Sequence, residues 1–294
     1  MFTVEDVKKL REMTGVGMLD CKNALQETDG DLDKAVEILR EKGFAKAAKK
    51  ASRIAAEGAV GAYVNGNVGV LVEVNCESDF VSKGDKFQEI VNNIAKVVAS
   101  NKPKTVEELN SCKYGEGTVA DYITERTMVI GEKLSIRRFE VFETAGKIES
   151  YIHMGGKVGV MVEANPFNGG EDLLHDVALQ IAAAKPTYLD KSEVPSEVIS
   201  HEKEILLAQM QNDEKNANKP KEILEKIVSG KVGKFYTENC LLDQLFVKDD
   251  SKTISEVIGN NFKVVRFVRY EMGEGLEKKN ENFAEEVAKM GHKD

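Results

Sequence analysis

Apolar residues near the start of the chain recur at helical spacing, in three runs separated by glycine-containing breaks. The runs predict helices over residues 4–13, 18–27 and 32–42, and Gly43 is the expected end of the third helix. Three helices of this length can bury one another's apolar faces. They predict a small helical bundle over residues 1–53, which ends in an Ala/Lys-rich, basic linker.

The predicted bundle resembles a ubiquitin-associated domain, in which a glycine loop and the helix after it present apolar side chains to a partner. In this chain the loop leads into Met18 and Leu19. One interpretation is that Met18 closes the small core. The other is that the two side chains form an adaptable contact surface, since methionine fits irregular partners well.

The rest of the chain contains an internal repeat. The apolar run at residues 68–75 matches residues 158–165, 90 positions later, and each run follows another predicted strand across a glycine turn. Such turns between alternating strands predict antiparallel hairpins. Each hairpin precedes an amphipathic run, residues 87–99 and 173–184, that predicts a helix. Each copy closes with one more predicted strand, at residues 134–141 and 262–269.

These elements predict an α+β protein with a duplicated core of two small antiparallel sheets covered by helices. We expect core subdomains at residues 54–143 and 144–271, the second interrupted by a projecting helical hairpin at about residues 196–228. Arms of this kind serve docking or assembly, and the alternative is a hairpin packed flat on the body. A homodimer through the second subdomain or the hairpin is left open. A C-terminal helical module is predicted over residues 272–294.

The two copies differ at the turn from strand to helix. The first turn, residues 76–81, reads Cys-Glu-Ser-Asp-Phe-Val, whereas the second turn, residues 166–171, reads Pro-Phe-Asn-Gly-Gly-Glu. A shared scaffold with one specialised loop points to that loop as functional. Local sequence by itself favours a structural interpretation, in which Phe80 or Val81 folds back onto the next helix as a hydrophobic staple.

Composition narrows the classes of function. The chain has 294 residues, 41% hydrophobic and 31% charged, which is enough for two or three globular domains. A formal net charge of -9 argues against nucleic-acid binding over a broad surface. The four cysteines lack paired spacing, so we expect reduced thiols in a cytoplasmic protein. We also expect no signal peptide and no membrane span.

The sequence contains no recognisable catalytic constellation. Its Gly-Lys pairs are not followed by Ser or Thr, so no phosphate-binding loop is predicted, and its four histidines lack metal-ligand spacing. His153, beside a glycine turn, is favoured as a structural residue on local grounds. We therefore expect an interaction protein with no cofactor, no metal and no nucleotide site of its own. An enzyme of an unfamiliar class is the alternative.

Three motifs carry a resemblance to a known family: LREMTGVGMLDCK at residues 10–22, EVNCESDFV at residues 73–81 and SIRR at residues 135–138. With the duplicated core, the hairpin and the terminal helix in the same order, the chain is similar to the bacterial elongation factor Ts proteins. These are the nucleotide-exchange factors of the GTPase elongation factor Tu. The family usually has Thr where this chain has Ser78, which keeps the hydroxyl group and loses a methyl group.

The resemblance implies that Ser78, Asp79, Phe80 and Val81 enter the GTPase domain of elongation factor Tu and disturb its magnesium site. It therefore reverses the local expectation and predicts an exposed Phe80. The resemblance implies further contacts. Those with the GTPase domain are made by Met18, Leu19, Phe283 and Val287, and those with the third domain of the partner by His153 and Met154. Ile130 and Gly131 support the first turn.

Overall fold

The computed structural model describes residues 2–212 and 221–277. This part of the chain is an α+β protein, as predicted, with a helical N-terminal region followed by two three-stranded antiparallel sheets and two small two-stranded ones. The helices of the N-terminal region are α1 (Val4–Thr14), α2 (Met18–Glu27) and α3 (Leu32–Lys50).

Local sequence explains how the N-terminal bundle begins. A capping box starts α1, because the Thr3 side chain accepts a hydrogen bond from the Asp6 N–H while the Asp6 carboxylate accepts one from the Thr3 N–H. Gly15 ends the helix in the left-handed conformation, at φ 68°. Leu10 and Leu25 are fully buried between the helices. The three-helix bundle is present, and its likeness to a ubiquitin-associated domain stays a prediction.

The prediction that Gly43 ends the third helix is wrong, since α3 continues through it to Lys50. A Cβ atom at Gly43 would lie 2.0 Å from the sulfur of Met128. The glycine therefore allows α3 to pass close to the later helix that carries Met128. Close packing, rather than helix termination, explains the residue.

The first copy of the repeat forms a three-stranded sheet. Its elements are β1 (Glu57–Asn65), β2 (Val68–Cys76), α4 (Asp79–Ser82), α5 (Asp85–Asn101), α6 (Val106–Ser111), β3 (Lys113–Tyr114), β4 (Gly117–Thr118), α7 (Val119–Ile130) and β5 (Ser135–Glu143). The strand order is β1-β2-β5, with both pairs antiparallel. Val70, Val72 and Val74 on β2 pack in one core with α5. Leu71, on the opposite face of the strand, is also buried, which explains the continuous apolar run.

The second copy repeats this arrangement. Its elements are β6 (Lys147–His153), β7 (Val158–Phe167), α8 (Glu171–Ala184), α9 (Ser196–Gln211), α10 (Lys221–Asn239), β8 (Leu245–Phe246), β9 (Asp249–Thr253), α11 (Ile254–Ile258) and β10 (Phe262–Glu271). The strand order β10-β7-β6 matches that of the first sheet, and both pairs are antiparallel. The predicted duplication is confirmed.

The two sheets pack face to face, with a shared apolar cluster between them that includes Leu71 and Met161. Equivalent glycines permit the close approach. A Cβ atom at Gly69 would lie 2.6 Å from a methyl carbon of Ile148, and one at Gly159 would lie 2.4 Å from a methyl carbon of Val60.

Reciprocal cation–π contacts join the two copies. The Arg138 guanidinium of the first copy lies 4.1 Å from the ring centre of Tyr270 in the second. The Arg266 guanidinium of the second copy lies at the same distance, 4.1 Å, from the ring centre of Phe142 in the first. Contacts of this type are worth about 0.5–2 kcal/mol, so each copy contributes a cation to the stability of the other.

The helical hairpin is present, with α10 reaching Asn239 rather than the predicted end near residue 228. Residues 213–220, between its helices, lie outside the described residues. The helical spacing of apolar residues predicts a pairing face that includes Leu206, Met210 and Leu224, which are buried, and also Ile205 and Ile223, which are 38% and 46% exposed. The buried face also includes Val228 and Val232 of α10. It forms a separate cluster of Leu206, Met210, Leu224, Val228 and Val232.

The predicted final helix, with Phe283 and Val287, lies outside the described residues. The proposed domain boundaries stay predictions. Among the helices of the described part of the chain, none combines the length and the apolar content needed to cross a bilayer.

Candidate protein-interaction site

Two helices, α4 and α5, begin within a few residues of each other at the first turn. β2 ends at Cys76, and Ser78 then begins the single helical turn α4, its Oγ accepting a hydrogen bond from the Val81 N–H at 3.4 Å. The Gln88 side chain of α5 donates to the Ser82 carbonyl oxygen at 2.7 Å, which ties α4 to the longer helix after it. The short helix is therefore fixed at both ends.

Phe80 and Val81, the two candidates for a hydrophobic staple, have different surroundings. Val81 is half-buried against the core of the first sheet. Phe80 is 87% exposed. Val81 therefore packs inward and Phe80 does not, which contradicts the staple interpretation for Phe80 and leaves the ring available for contact with another molecule.

An ion pair lies beside the exposed ring. The Lys83 ammonium donates to the Asp79 carboxylate over 2.6 Å, one helical turn away. This hydrogen bond lowers the pKa of Asp79 below its ordinary value of 3.8 and raises the pKa of Lys83 above 10.5. At neutral pH the first turn thus presents a carboxylate next to an apolar ring.

Glu132 holds the backbone of the first turn. One carboxylate oxygen accepts the N–H groups of Glu77 and Ser78, at 3.1 and 2.9 Å, and the other accepts the Ser78 hydroxyl at 2.6 Å. In return, the Glu77 carboxylate accepts the Lys133 N–H at 2.6 Å. The sequence interpretation missed Glu132. Its signal was an acid directly after Gly131, the predicted loop residue that supports the turn.

Ile130 and Gly131 lie at the base of the first turn. Ile130 is half-buried against the first core, and Gly131 ends α7 at φ 86°. The Lys50 ammonium, at the end of α3, donates to the Gly131 carbonyl oxygen. The two residues directly precede Glu132, which binds the first turn, and their support of that turn stays a prediction.

The other described candidates are exposed. Met18 and Leu19, at the start of α2, are 37% and 71% exposed, which favours the contact-surface interpretation over a core cap. Met154, in the turn between β6 and β7, is 73% exposed, and the adjacent His153 is paired through Nδ1 with the Tyr151 hydroxyl at 2.8 Å. At the end of that turn, the Lys157 ammonium pairs with the Glu57 carboxylate of β1 at 3.1 Å.

Glu73, in the strand that leads to the first turn, is completely buried. Its carboxylate accepts hydrogen bonds from Arg137 (2.9 Å), Arg138 (2.7 Å) and the Gly273 N–H (2.8 Å). Burial opposes ionisation, but the Gly273 N–H and the two guanidinium groups outweigh it, so the pKa of Glu73 lies below its ordinary value of 4.5. The sequence signals were an acid inside an apolar strand and two adjacent arginines.

An exposed aromatic ring on a turn held by hydrogen bonds, in a protein that also exposes Met18, Leu19 and Met154, is typical of a protein that binds another protein. The class that the fold and this surface define is therefore an α+β interaction protein.

Comparison with known proteins identifies the family. A family model described as "Elongation factor TS" matches residues 77–274. Curated proteins named elongation factor Ts are similar over the whole chain: that of Clostridium perfringens is 48% identical and covers 100% of both chains, and that of Halothermothrix orenii is 47% identical and covers 99% of both. The chain belongs to the elongation factor Ts family.

Proposed function

We propose that this protein is a nucleotide-exchange factor for the GTPase elongation factor Tu. It binds the GDP-bound GTPase, disturbs the magnesium and phosphate site, and promotes GDP release so that GTP can bind. Family membership supports the proposal. The single observation that carries it is the 87% exposure of Phe80 within the family motif at residues 73–81.

Phe80 acts by packing between partner helices. Complete burial of such a ring is worth ~1.5–3 kcal/mol, which is available to stabilise a distorted form of the GTPase. In GTPases, Mg²⁺ bridges the phosphate oxygens to the protein. A factor that binds best when this site is distorted weakens the hold on the nucleotide. Asp79 then either hydrogen-bonds to displaced partner groups or repels the phosphate.

Thermodynamic linkage completes the cycle. If the factor weakens GDP binding by some ratio, GDP weakens factor binding by the same ratio. The factor therefore passes through a ternary complex, expels GDP, and is expelled in turn by incoming GTP. Because the factor is regenerated, the GDP/GTP equilibrium is unchanged, and the activity requires no catalytic group or cofactor of its own.

The remaining surface supplies additional contacts. Met18 and Leu19 contact the GTPase domain, and His153 and Met154 contact the third domain of the partner. Ile130 and Gly131 support the first turn from behind. Pairing of two chains through the second subdomain or the hairpin stays a prediction.

The test is the release of fluorescent GDP from elongation factor Tu with catalytic amounts of this protein. We expect strong acceleration, and Phe80→Ala should lower it by about 10- to 100-fold, as follows from the burial energy of the ring. Thermal unfolding of the variant should be unchanged, and its affinity should fall less than its exchange rate. Leu245→Ala removes a 53%-exposed side chain elsewhere and is the matched control, which should exchange normally.

Two outcomes would contradict the proposal. A stable complex with unaltered GDP release would indicate an adaptor that binds elongation factor Tu without driving exchange. Equal losses of affinity and exchange in Phe80→Ala would remove the specific role of the ring.

A further inference from the structure

The first turn has two backbone donors that neither a strand nor a helix can satisfy. The N–H groups of Glu77 and Ser78 lie between the end of β2 and the start of α4, and both donate to one oxygen of Glu132. The other oxygen of Glu132 takes the Ser78 hydroxyl. Hydrogen bonds to an ionised carboxylate are roughly twice as strong as neutral ones, and three of them fix both the position and the rotation of this segment.

The first turn also accepts hydrogen bonds from neighbouring segments. The Glu77 carboxylate accepts the Lys133 N–H at 2.6 Å and an Arg53 guanidinium N–H at 3.2 Å. Two neighbouring residues of the first turn are thus joined to two neighbouring residues after α7, and each pair supplies at least one donor and one acceptor. Such a double connection resists the hinge motion that a single hydrogen bond permits.

The residues after α7 are themselves tied to the N-terminal region. The Lys133 ammonium donates to the carbonyl oxygens of Ala51 and Arg53, at 2.7 and 2.9 Å, just beyond the end of α3. Lys50 donates to the Gly131 carbonyl oxygen. The same corner therefore connects the first turn to the bundle that carries the exposed Met18 and Leu19 side chains.

From this geometry we propose that Glu132 is a positioning residue for nucleotide exchange, an inference that rests on the proposed function. It acts through Ser78 and Glu77 and holds the exposed Phe80 ring at a fixed angle to the body. Binding of a pre-oriented ring costs less conformational entropy, because the turn is already ordered. More of the free energy of burying the ring is then available to distort the partner. Glu132 therefore affects the rate of exchange within the complex more than formation of the complex.

The test compares Glu132→Ala with Glu132→Gln in steady-state GDP exchange on elongation factor Tu. The alanine variant lacks all three acceptor contacts, and its kcat should fall by about tenfold with little change in KM. Glutamine keeps a carbonyl oxygen for the two N–H donors, so it should recover most of kcat. Glu116→Ala, an exposed acid in the turn between β3 and β4, is the matched control and should behave as the unmutated protein.

Amide hydrogen exchange supplies a readout independent of activity. In Glu132→Ala, the Glu77 and Ser78 amides should exchange faster, while the core amides of β2 keep their protection. A normal kcat in Glu132→Ala, together with faster exchange of these amides, would overturn the positioning role. If the alanine variant fails to fold, Ser78→Ala takes its place, and an unchanged kcat there would overturn it equally.

The proposed function fails in a different way. If the unmutated protein does not accelerate GDP release, exchange itself is contradicted. Hydrogen exchange of the Glu77 and Ser78 amides then still decides whether Glu132 holds the turn. If these amides exchange equally slowly in Glu132→Ala and in the unmutated protein, the claim that Glu132 holds the turn is contradicted as well.

Discussion

Each copy of the core has an aromatic residue at the end of its central strand or just after it, and the two rings have opposite surroundings. In the second copy β7 continues to Phe167, which lies opposite Phe262 on β10 and stacks on it with ring centres 5.8 Å apart. In the first copy β2 stops at Cys76, a new helix begins at Ser78, and Phe80 is 87% exposed. One ring stabilises the fold and the other remains available to a partner. The end of the central strand is therefore part of the core in the second copy and leads to an exposed ring in the first.

The buried carboxylates in the two central strands, Glu73 and Glu163, also differ between the copies in the number of arginines that bind them. Glu73 and Glu163 occupy equivalent positions, each beside an irregularity in the strand pairing. In the first copy the extra residue is Arg137, which joins Arg138 on Glu73. In the second copy it is Val265, which is 40% exposed. The strand that carries the first turn therefore has the stronger internal anchor.

Replacement of these two carboxylates gives the largest expected difference in stability. Glu73→Gln should lower the free energy of unfolding by about 2–4 kcal/mol, since two guanidinium groups and a buried N–H lose a charged acceptor. Glu163→Gln should cost about 1 kcal/mol, because the Arg266 side chain that donates to Glu163 is 45% exposed. Urea unfolding at pH 7 measures both, and equal losses would contradict the asymmetry.

The pH dependence of the free energy of unfolding provides a second measure of how much Glu73 stabilises the fold. The pKa of Glu73 is lowered in the folded state from 4.5, so its stabilising effect is complete above about pH 4.5. The effect is lost as the pH falls through the folded-state pKa. Urea unfolding between pH 7 and pH 3 should therefore show a smaller acid-induced loss in Glu73→Gln than in the unmutated protein.

The interface between the sheets is the feature that the copies share, and its glycines should respond alike. Gly69→Ala and Gly159→Ala should each destabilise by about 1–3 kcal/mol through overpacking. Gly159→Ala should cost at least as much, because it meets the stiff, β-branched Val60, whereas Gly69 also faces the flexible Met161. Thermal unfolding checks this.

Gly230→Ala is the control for the glycine pair. Gly230 lies within α10, where a Cβ atom would meet no described atom within 4 Å, so alanine should be neutral or stabilising. A large loss there, or none at Gly69 and Gly159, would remove close sheet packing as the reason for these glycines.

The smallest expected effect concerns the ion pair at the first turn. Lys83→Met removes the hydrogen bond that lowers the pKa of Asp79, so this pKa should rise toward 3.8 with no change in thermal unfolding. A carbon-detected NMR titration of the carboxylate measures it. Lys86→Met, on the exposed side of α5, is the control and should leave Asp79 as it is. An unchanged titration in Lys83→Met would show that the pair does not form in solution.

The sequence predicts the sheets well because strand alternation, glycine turns and the repeat all agree. It predicts poorly where tertiary contacts override local signals. Gly43 has the local signal of a helix end, but it lies within α3, and its close approach to Met128 explains why a glycine stands there. Local pattern could not separate Phe80 from Val81, because their orientation depends on where Ser78 begins α4. Glu132 was missed because its partners are more than fifty residues away in the sequence.

The most direct test of the central claim measures GDP release and thermal unfolding together for Phe80→Ala and Phe167→Ala. We expect Phe80→Ala to lose about 10- to 100-fold in exchange at an unchanged Tm. Phe167→Ala should lower Tm, because it loses the stacked partner of Phe262, and should exchange normally at temperatures where it is folded. Loss of exchange in Phe167→Ala alone, or a lower Tm in Phe80→Ala, would contradict the assignment of contact to the Phe80 ring and stability to the Phe167 ring.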